Sequence, residues 1–317
     1  MSSLTRTETA RWLLDHDNYL ILTHRRPDGD TLGSAAFLCR GLRQLGKTAH
    51  ILRNPEITEK YAPLHCGLTV SQPEDAHTVI CVDTASPGML AEAFLPLQNR
   101  IALRIDHHGT ATTFTPLELV DPDAAACGDV LYDVLTEMGA TLDKDMAEAL
   151  YTAVSTDTGC FRYANTNEHS YLVAAACAKA GGDLFSLNQA LFETNSLGRL
   201  RLQGWLIDNA VFLQEGKAVI CALPLSQEKA IGLTEDDMEN ISGFPRSIAG
   251  VKLAATLRQE QSGLIKLSVR AVPGYDAAAI CAMFGGGGHK GAAGASMNTT
   301  MDEAVLAVKT AFEAISM

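Results

Sequence analysis

The 317-residue sequence lacks a long apolar run. No stretch approaches the roughly 18 residues that a membrane-crossing helix requires, so no membrane partner is expected. Met1 to Ala10 is polar and lacks the apolar centre of an export signal, which makes the cytoplasm the expected compartment. The eight cysteines include no Cys-x-x-Cys pair. Several lie in apolar segments, as Cys81 does in Val79-Ile80-Cys81-Val82, and read as reduced, buried thiols acting as small hydrophobes. Positive charge is also scarce, and the net charge is −12. Phosphate neutralisation dominates affinity for nucleic-acid duplexes, so this charge argues against long duplex DNA as a partner. The acidity is uneven: 25 acidic against 16 basic residues precede the cut at Trp205, and 12 against 9 follow it.

The chain length suits two domains. The first part alternates strands and helices. Tyr19–Thr23, Thr48–Leu52, Thr78–Val82 and Ile101–Ile105 are predicted strands. Leu32–Leu45 carries apolar residues at helical spacing and stops at Gly46. Further helices are predicted at about 129–138, 144–154 and 167–180. This alternation indicates an α/β domain over residues 1–184, a parallel sheet with helices on both faces. Residues 185–208 read as a helical linker. The texture then changes: Ala210–Leu213, Ala218–Leu223, Val251–Arg258 and Leu264–Val269 look like strands, and a terminal helix starts near Met301. Residues 209–317 are therefore expected to form a smaller α+β domain. Gly285–Gly288 is the only low-complexity stretch, and no repeat is evident.

Four places set Asp or His just after a strand or at a helix end. They are His24-Arg25-Arg26-Pro27-Asp28-Gly29-Asp30, Asp83, Asp106-His107-His108, and Asp157. A single Asp after a strand is usually a turn residue or a cap, and Asp83 by itself would read as one. His-His pairs occur by chance. The recurrence at successive strand ends changes the balance, because functional groups of parallel sheets gather beyond the carboxyl ends of strands. Asp28, Asp30, Asp83, Asp106 and Asp157 cannot share a pocket while ionised unless cations compensate them. Carboxylate with imidazole suits Mn2+, and carboxylate with water suits Mg2+. A pair of such ions would activate water against a phosphoester.

With these motifs in order, the sequence resembles the DHH family. Asp106-His107-His108 is the naming motif, His24-x-x-x-Asp28-x-Asp30 is similar to the first motif, and Asp83 and Asp157 are similar to the second and fourth. Gly285-Gly286-Gly287-Gly288-His289-Lys290-Gly291-Ala292-Ala293-Gly294 resembles the signature of the DHHA1 domain. The resemblance spans nearly the whole chain and lies nearest the short two-domain form of the bacterial nano-RNases and pAp phosphatases. It implies one Mn2+ on His24, Asp28 and Asp83. It implies a second on Asp30, Asp83, His107 and Asp157, with Asp83 bridging and Mg2+ as the alternative metal. It implies hydroxide attack at phosphorus, with His108 on the scissile phosphate and Asp106 orienting an imidazole.

Arg162 and Arg270 are similar to family positions that contact substrate, and Arg suits bidentate phosphate binding. Gly286, Gly287 and Gly288 would let backbone N–H groups approach a phosphate, and His289 adds a donor; a flexible loop is the alternative. Phe161 or Tyr163 offers a stacking face for a base or else packs in the core. The implied activity is hydrolysis of short RNA and dinucleotides to mononucleotides, and of pAp to AMP. Cyclic dinucleotide hydrolysis is the nearest alternative. A nucleotide-binding sensor without catalysis is the alternative of another class.

Overall fold

The computed structural model describes residues 2–75, 77–109 and 112–315. The chain divides into two compact units, Met1–Thr194 and Asn195–Met317.

The first unit begins with β1 (Ser2–Ser3), α1 (Arg6–Asp15), β2 (Tyr19–Leu22), α2 (Gly29–Gln44), β3 (Ala49–Leu52) and β4 (Thr69–Val70). It continues through β5 (Thr78–Val82), β6 (Ile101–Asp106), β7 (Leu117–Val120), α3 (Cys127–Glu137), α4 (Lys144–Asp157), α5 (Glu168–Lys179) and α6 (Leu184–Asn188). The seven strands lie in the order β1-β7-β6-β5-β2-β3-β4, and every neighbouring pair is parallel. Chain order reverses between β2 and β5: the chain leaves β2 toward β3 on one side and returns to place β5 on the other. Such a reversal opens a crevice beyond the carboxyl ends of its two strands.

Both faces of this sheet are covered, which is why Tyr19-Leu20-Ile21-Leu22 is apolar throughout rather than alternating. Tyr19 and Ile21 join a core with Phe37, Leu38, Leu42, Val130, Leu131, Leu150 and Val154 of α2, α3 and α4. Leu20 and Leu22 face the other way and meet Phe94 and Leu97. The segment Glu92–Arg100 that supplies these two residues is wound as a 3-10 helix and contains Pro96. Proline lacks the N–H that a continuous α-helix would use there.

The second unit holds α7 (Leu197–Asp208), β8 (Val211–Leu213), β9 (Ala218–Leu223), α8 (Leu225–Ile231), α9 (Glu235–Met238) and β10 (Leu253–Gln259). After these come β11 (Ile265–Ala271), α10 (Ala277–Ala282), β12 (Gly287–Gly288), β13 (Ala292–Met297) and α11 (Met301–Glu313). Its sheet has the order β12-β13-β11-β10-β9-β8 and is antiparallel except for the β9–β10 pair. Alternation along β9 builds two layers. Ala218 and Ile220 pack with Ile280, Val308 and Phe312 of α10 and α11, whereas Val219 and Cys221 pack with Leu202 and Leu206 of α7. Residues 185–208 are helical except for the extended break at 194–196, and they divide. α6 and the π-helical turn Gln189–Glu193 belong to the first unit, while α7 lies on the second sheet.

Candidate metal centre

The four acidic motifs converge at the β2/β5 reversal. His24 follows β2 in an isolated bridge with Leu90. The imidazole Nδ1 lies 2.8 Å from the Arg25 carbonyl, and Asn54 Nδ2 donates to the His24 carbonyl at 2.8 Å. This engagement turns Nε2 toward the carboxylates, 3.5 Å from Asp28 Oδ1 and 3.4 Å from Asp83 Oδ2. Asp28 is the N-cap of α2, its Oδ1 accepting from the backbone N–H groups of Asp30 and Thr31. Asp30, two residues on, is buried. Its carboxylate accepts from Ser34 Oγ and from the N–H groups of Cys127 and Gly128. α3 has no side-chain cap of its own at Ala126, so Asp30 caps that helix from across the fold.

Asp83 follows β5 with φ 51, a left-handed conformation uncommon for a residue with a side chain. Its Oδ1 is buried and accepts no hydrogen bond. His108 Nδ1 lies 3.5 Å from that oxygen and His107 Nε2 lies 3.6 Å from it. His107 Nε2 is also 3.6 Å from Asp30 Oδ2 and 3.6 Å from Asp157 Oδ2. Asp157 ends α4, where Asn165 Nδ2 holds its carbonyl at 3.1 Å.

Three sets of donor atoms therefore lie within 4.8 Å of one another: His24, Asp28 and Asp83; Asp30, His107 and Asp157; and Asp83, His107 and His108. Separations of 3.4–3.6 Å between an imidazole nitrogen and a carboxylate oxygen are long for a hydrogen bond. They suit two ligands of one ion, since donors about 2.0–2.2 Å from a common centre lie roughly 3–3.6 Å apart. The unpartnered Asp83 oxygen fits the same reading, because a buried acceptor left unsatisfied costs about 1–3 kcal/mol.

His108 differs from His107. Its Nδ1 meets Asp106 Oδ1 at 2.7 Å, and the same oxygen accepts the N–H groups of His107 and His108. Asp106 is wholly buried and thus orients the His108 ring rather than facing the open pocket. Burial pushes Asp106 up, but the His108 hydrogen bond and charge outweigh it and hold the carboxyl below its ordinary range. Burial disfavours charged His108, yet the Asp106 bond and the charges of Asp83 and Asp157 raise the imidazole to about 9. Burial, reinforced by mutual repulsion, pushes Asp30 and Asp83 up and takes Asp157 to about 7. This is how carboxylates gathered for cations behave when cations do not compensate them.

Arg162 lies on the loop after Asp157, where Nε donates to the Gly159 carbonyl. Arg270 and His289 belong to the second unit. Arg270, on β11, donates to Ser242 Oγ at 2.9 Å and to the Val269 carbonyl. The His289 ring is exposed, and its backbone exchanges hydrogen bonds with Ala292. Gly287 and Gly288 form the short strand β12 against β13. A Cβ at Gly286 would come within 2.2 Å of the Gly294 carbonyl, and one at Gly288 within 2.7 Å of Ala292 O and Ala293 Cα. These two glycines thus have a packing reason as well, whereas a Cβ at Gly287 meets open space.

Sequence reasoning missed Arg104. It is 1% exposed, bridges Asp106 and Glu118, and donates to the carbonyls of Thr84 and Ala85, just after Asp83. Its guanidinium also lies over the Phe114 ring. The available signal was an arginine inside the apolar run Ile101–Ile105, where a charge must find buried partners. Asn54, Ser34 and Asn165, which hold His24, Asp30 and Asp157, carried no comparable signal.

Comparison with known proteins agrees with this geometry. Residues 18–154 match the DHH family, N-terminal domain, and residues 216–316 match the DHHA1 domain. A bifunctional oligoribonuclease and PAP phosphatase, NrnA, of Thermus thermophilus is 32% identical over 279 residues, covering 87% of this chain and 83% of its own length. The protein of the same name from Bacillus subtilis is 26% identical over 297 residues, covering 92% of this chain and 93% of its own. The crystal structure of an exopolyphosphatase-related protein from Bacteroides fragilis shares the fold, with a TM-score of 0.87 at 23% identity over 97% of this chain and 95% of that one. This chain belongs to the DHH family, carries a DHHA1 domain after its DHH domain, and is a phosphoesterase.

Proposed function

We propose that the protein hydrolyses short oligoribonucleotides to mononucleotides, and pAp to AMP, with two Mn2+ ions. The observation that carries this reading is that Asp83 Oδ2 lies by His24, which groups with Asp28, while its buried, unpartnered Oδ1 lies by His107, which groups with Asp30 and Asp157. His24, Asp28 and Asp83 would hold one ion; Asp30, Asp83, His107 and Asp157 would hold the other. When bound, the ions would supply an activated water and offset charge on the phosphoryl oxygens.

The chain's own residues do the rest. Asp106 fixes the His108 ring through Nδ1, which leaves Nε2 to contact the scissile phosphate. Asp28 and Asp30 are immobilised by helix N-termini, so their oxygens are placed before substrate arrives. Arg162 is proposed as a phosphate contact of the first domain, and Arg270, His289 and the N–H groups of Gly286–Gly288 as phosphate contacts of the second. A preference for very short chains agrees with the net charge of −12, which offers no extended basic track. The same charge and the lack of a membrane-length helix among the described residues support a water-phase, cytoplasmic enzyme.

The test is a comparison of initial rates for the purified chain with Mn2+ on pAp, on RNAs from dimers to 24-mers, on cyclic di-AMP and on pyrophosphate. The two-to-five-residue RNAs and pAp should be cleaved fastest, with rates falling steeply as length grows. Comparable rates on 24-mers, or fastest turnover of cyclic di-AMP or pyrophosphate, would overturn the substrate reading.

A further inference from the structure

The segment after Asp157 is built in an unusual way. Gly159, Cys160 and Phe161 all have positive φ, at 57, 58 and 61. Three consecutive left-handed residues, two of them with side chains, form an unfavourable stretch that persists only where its surroundings hold it. Here they do. The Cys160 N–H donates to the Ser155 carbonyl, the Phe161 N–H to Thr158 Oγ1, and the N–H groups of Arg162 and Tyr163 to the Thr158 carbonyl. Asn165 closes the loop by donating to the carbonyls of Ala125 and Asp157. The loop is therefore tied at both ends to the helix end that carries a metal ligand.

Its aromatic residues have separate fates. Phe161 is partly buried, with its ring 5.8 Å from Tyr151 and stacked on Tyr171 at 5.4 Å. That is packing. Tyr163 is 49% exposed. A Cβ at Gly159 would lie 2.4, 2.5 and 2.6 Å from Cζ, Cε2 and Cε1 of this ring. Near-equal distances to three ring atoms place the glycine beneath the ring's face rather than at its edge. One face of Tyr163 is seated on the Gly159 backbone, and the residue as a whole is half exposed. Gly159 is two residues from Asp157, so their Cα atoms are at most about 7.6 Å apart. The ring is thus seated beside the helix end that carries Asp157, one of the proposed metal ligands.

We infer that Tyr163 is a stacking platform for the nucleobase next to the scissile phosphate, held in place by the left-handed turn at Gly159–Phe161. The inference rests on the reading of the protein as a nucleotide phosphoesterase. A platform of this kind accepts any base, since every base offers a π-face. It binds the nucleoside and not the phosphate, so it separates nucleotide substrates from inorganic phosphoanhydrides such as pyrophosphate. The seat on glycine fixes the ring before binding, which reduces the ordering needed when the base arrives.

The experiment compares wild-type protein with Tyr163→Ala, Tyr163→Phe, Tyr163→Trp and Tyr163→Leu, all loaded with Mn2+. AMP binding is measured by calorimetry, and KM is measured on an RNA dimer and on its analogue with an abasic ribose at the cleaved end. Tyr163→Ala should weaken AMP binding and raise KM on the dimer by about ten- to a hundred-fold, the range of base–aromatic stacking. Phe and Trp should restore both, Leu should not, and the abasic analogue should show no difference between wild type and Tyr163→Ala. Manganese content and the urea midpoint should stay at wild-type values. Equal AMP affinity in wild type and Tyr163→Ala, no measurable AMP binding by wild type, or full restoration by Leu would overturn the inference. If AMP binding responds as expected while the dimer is not turned over, the stacking platform stands and the substrate reading falls.

Discussion

Asp83 sits at a backbone angle that a carboxylate residue seldom adopts, and one of its oxygens is buried without a hydrogen bond. Backbone strain of this kind costs about 1–3 kcal/mol, and the unsatisfied oxygen adds a similar amount. Neither helps the metal-free fold. Asp83→Asn should therefore leave the chelated protein at least as stable as wild type, with an equal or higher urea midpoint, because the amide removes a charge that burial disfavours. The same substitution should abolish turnover and lower bound manganese from two ions toward none, as read by elemental analysis. A variant that keeps two ions and a near-normal rate would remove Asp83 from the centre. The two histidines give a second contrast. His107 Nε2 faces three carboxylates, whereas His108 Nδ1 is already engaged by Asp106. His107→Ala should lose metal, and His108→Ala should keep most of it while kcat falls by a factor of at least about a hundred. Equal metal loss in both variants would contradict this division.

At the scale of elements, the centre depends on the ends of β5 and β6 staying in register. Arg104 on β6 holds the chain after β5 through Thr84 O and Ala85 O, holds Asp106 on its own strand, and reaches Glu118 on β7. Removing one partner of a buried charge network leaves the others uncompensated, at a cost of about 3–5 kcal/mol. Arg104→Met should lower the urea midpoint accordingly, and adding Glu118→Gln should recover part of the loss. No recovery in the double variant would show that Arg104 acts by packing against Phe114 alone. In the second domain, Gly286→Ala should destabilise through its clash with Gly294 O, while Gly287→Ala, which meets open space, should leave the fold intact. A loss of phosphate or AMP binding in Gly287→Ala without loss of stability would separate a ligand role from a packing role.

These elements also show what the sequence could and could not convey. β2, β5 and β6 were legible because each is a short, mainly apolar run with Asp or His at or just past its end. β7 was not, because Glu118 interrupts its apolar pattern and is explained only by Arg104 across the sheet. β13 is alanine and glycine at four of its six positions, so no β-branched residue announces it. The ligand motifs could be read as neighbours from their recurrence at strand ends. Asp30 as the cap of α3 could not, since its partners Cys127 and Gly128 are about a hundred residues away in sequence.

For the molecule as a whole, the gathered charges make stability depend on pH in a way that metal should reverse. Asp157 is raised by burial and by repulsion from Asp83 and Asp28, to about 7 in the folded chain against an ordinary 3.8. Between those values the folded state keeps a proton that the unfolded state has released, so stability falls as pH rises. Asp30 and Asp83 are raised as well and act in the same direction. His108 adds to this: its folded value of about 9 lies above the ordinary 6.5, so its contribution is full below 6.5 and is lost as pH passes through 9. Asp157 therefore weakens the metal-free protein as pH rises from about 4 to 7 and His108 does so from about 6.5 to 9, with Asp30 and Asp83 acting in the same direction. Bound cations favour the ionised carboxylates, release their protons and remove the penalty. The chelated protein should therefore show a urea midpoint that drops steadily from pH 5 to pH 8, whereas the manganese-loaded protein should show a flat or rising one. Manganese affinity should rise over the same range, and titration in weak buffer near pH 7 should release protons. A chelated protein whose midpoint rises between pH 5 and pH 8, or metal uptake without proton release, would mean that these carboxylates are not the groups that receive the ions.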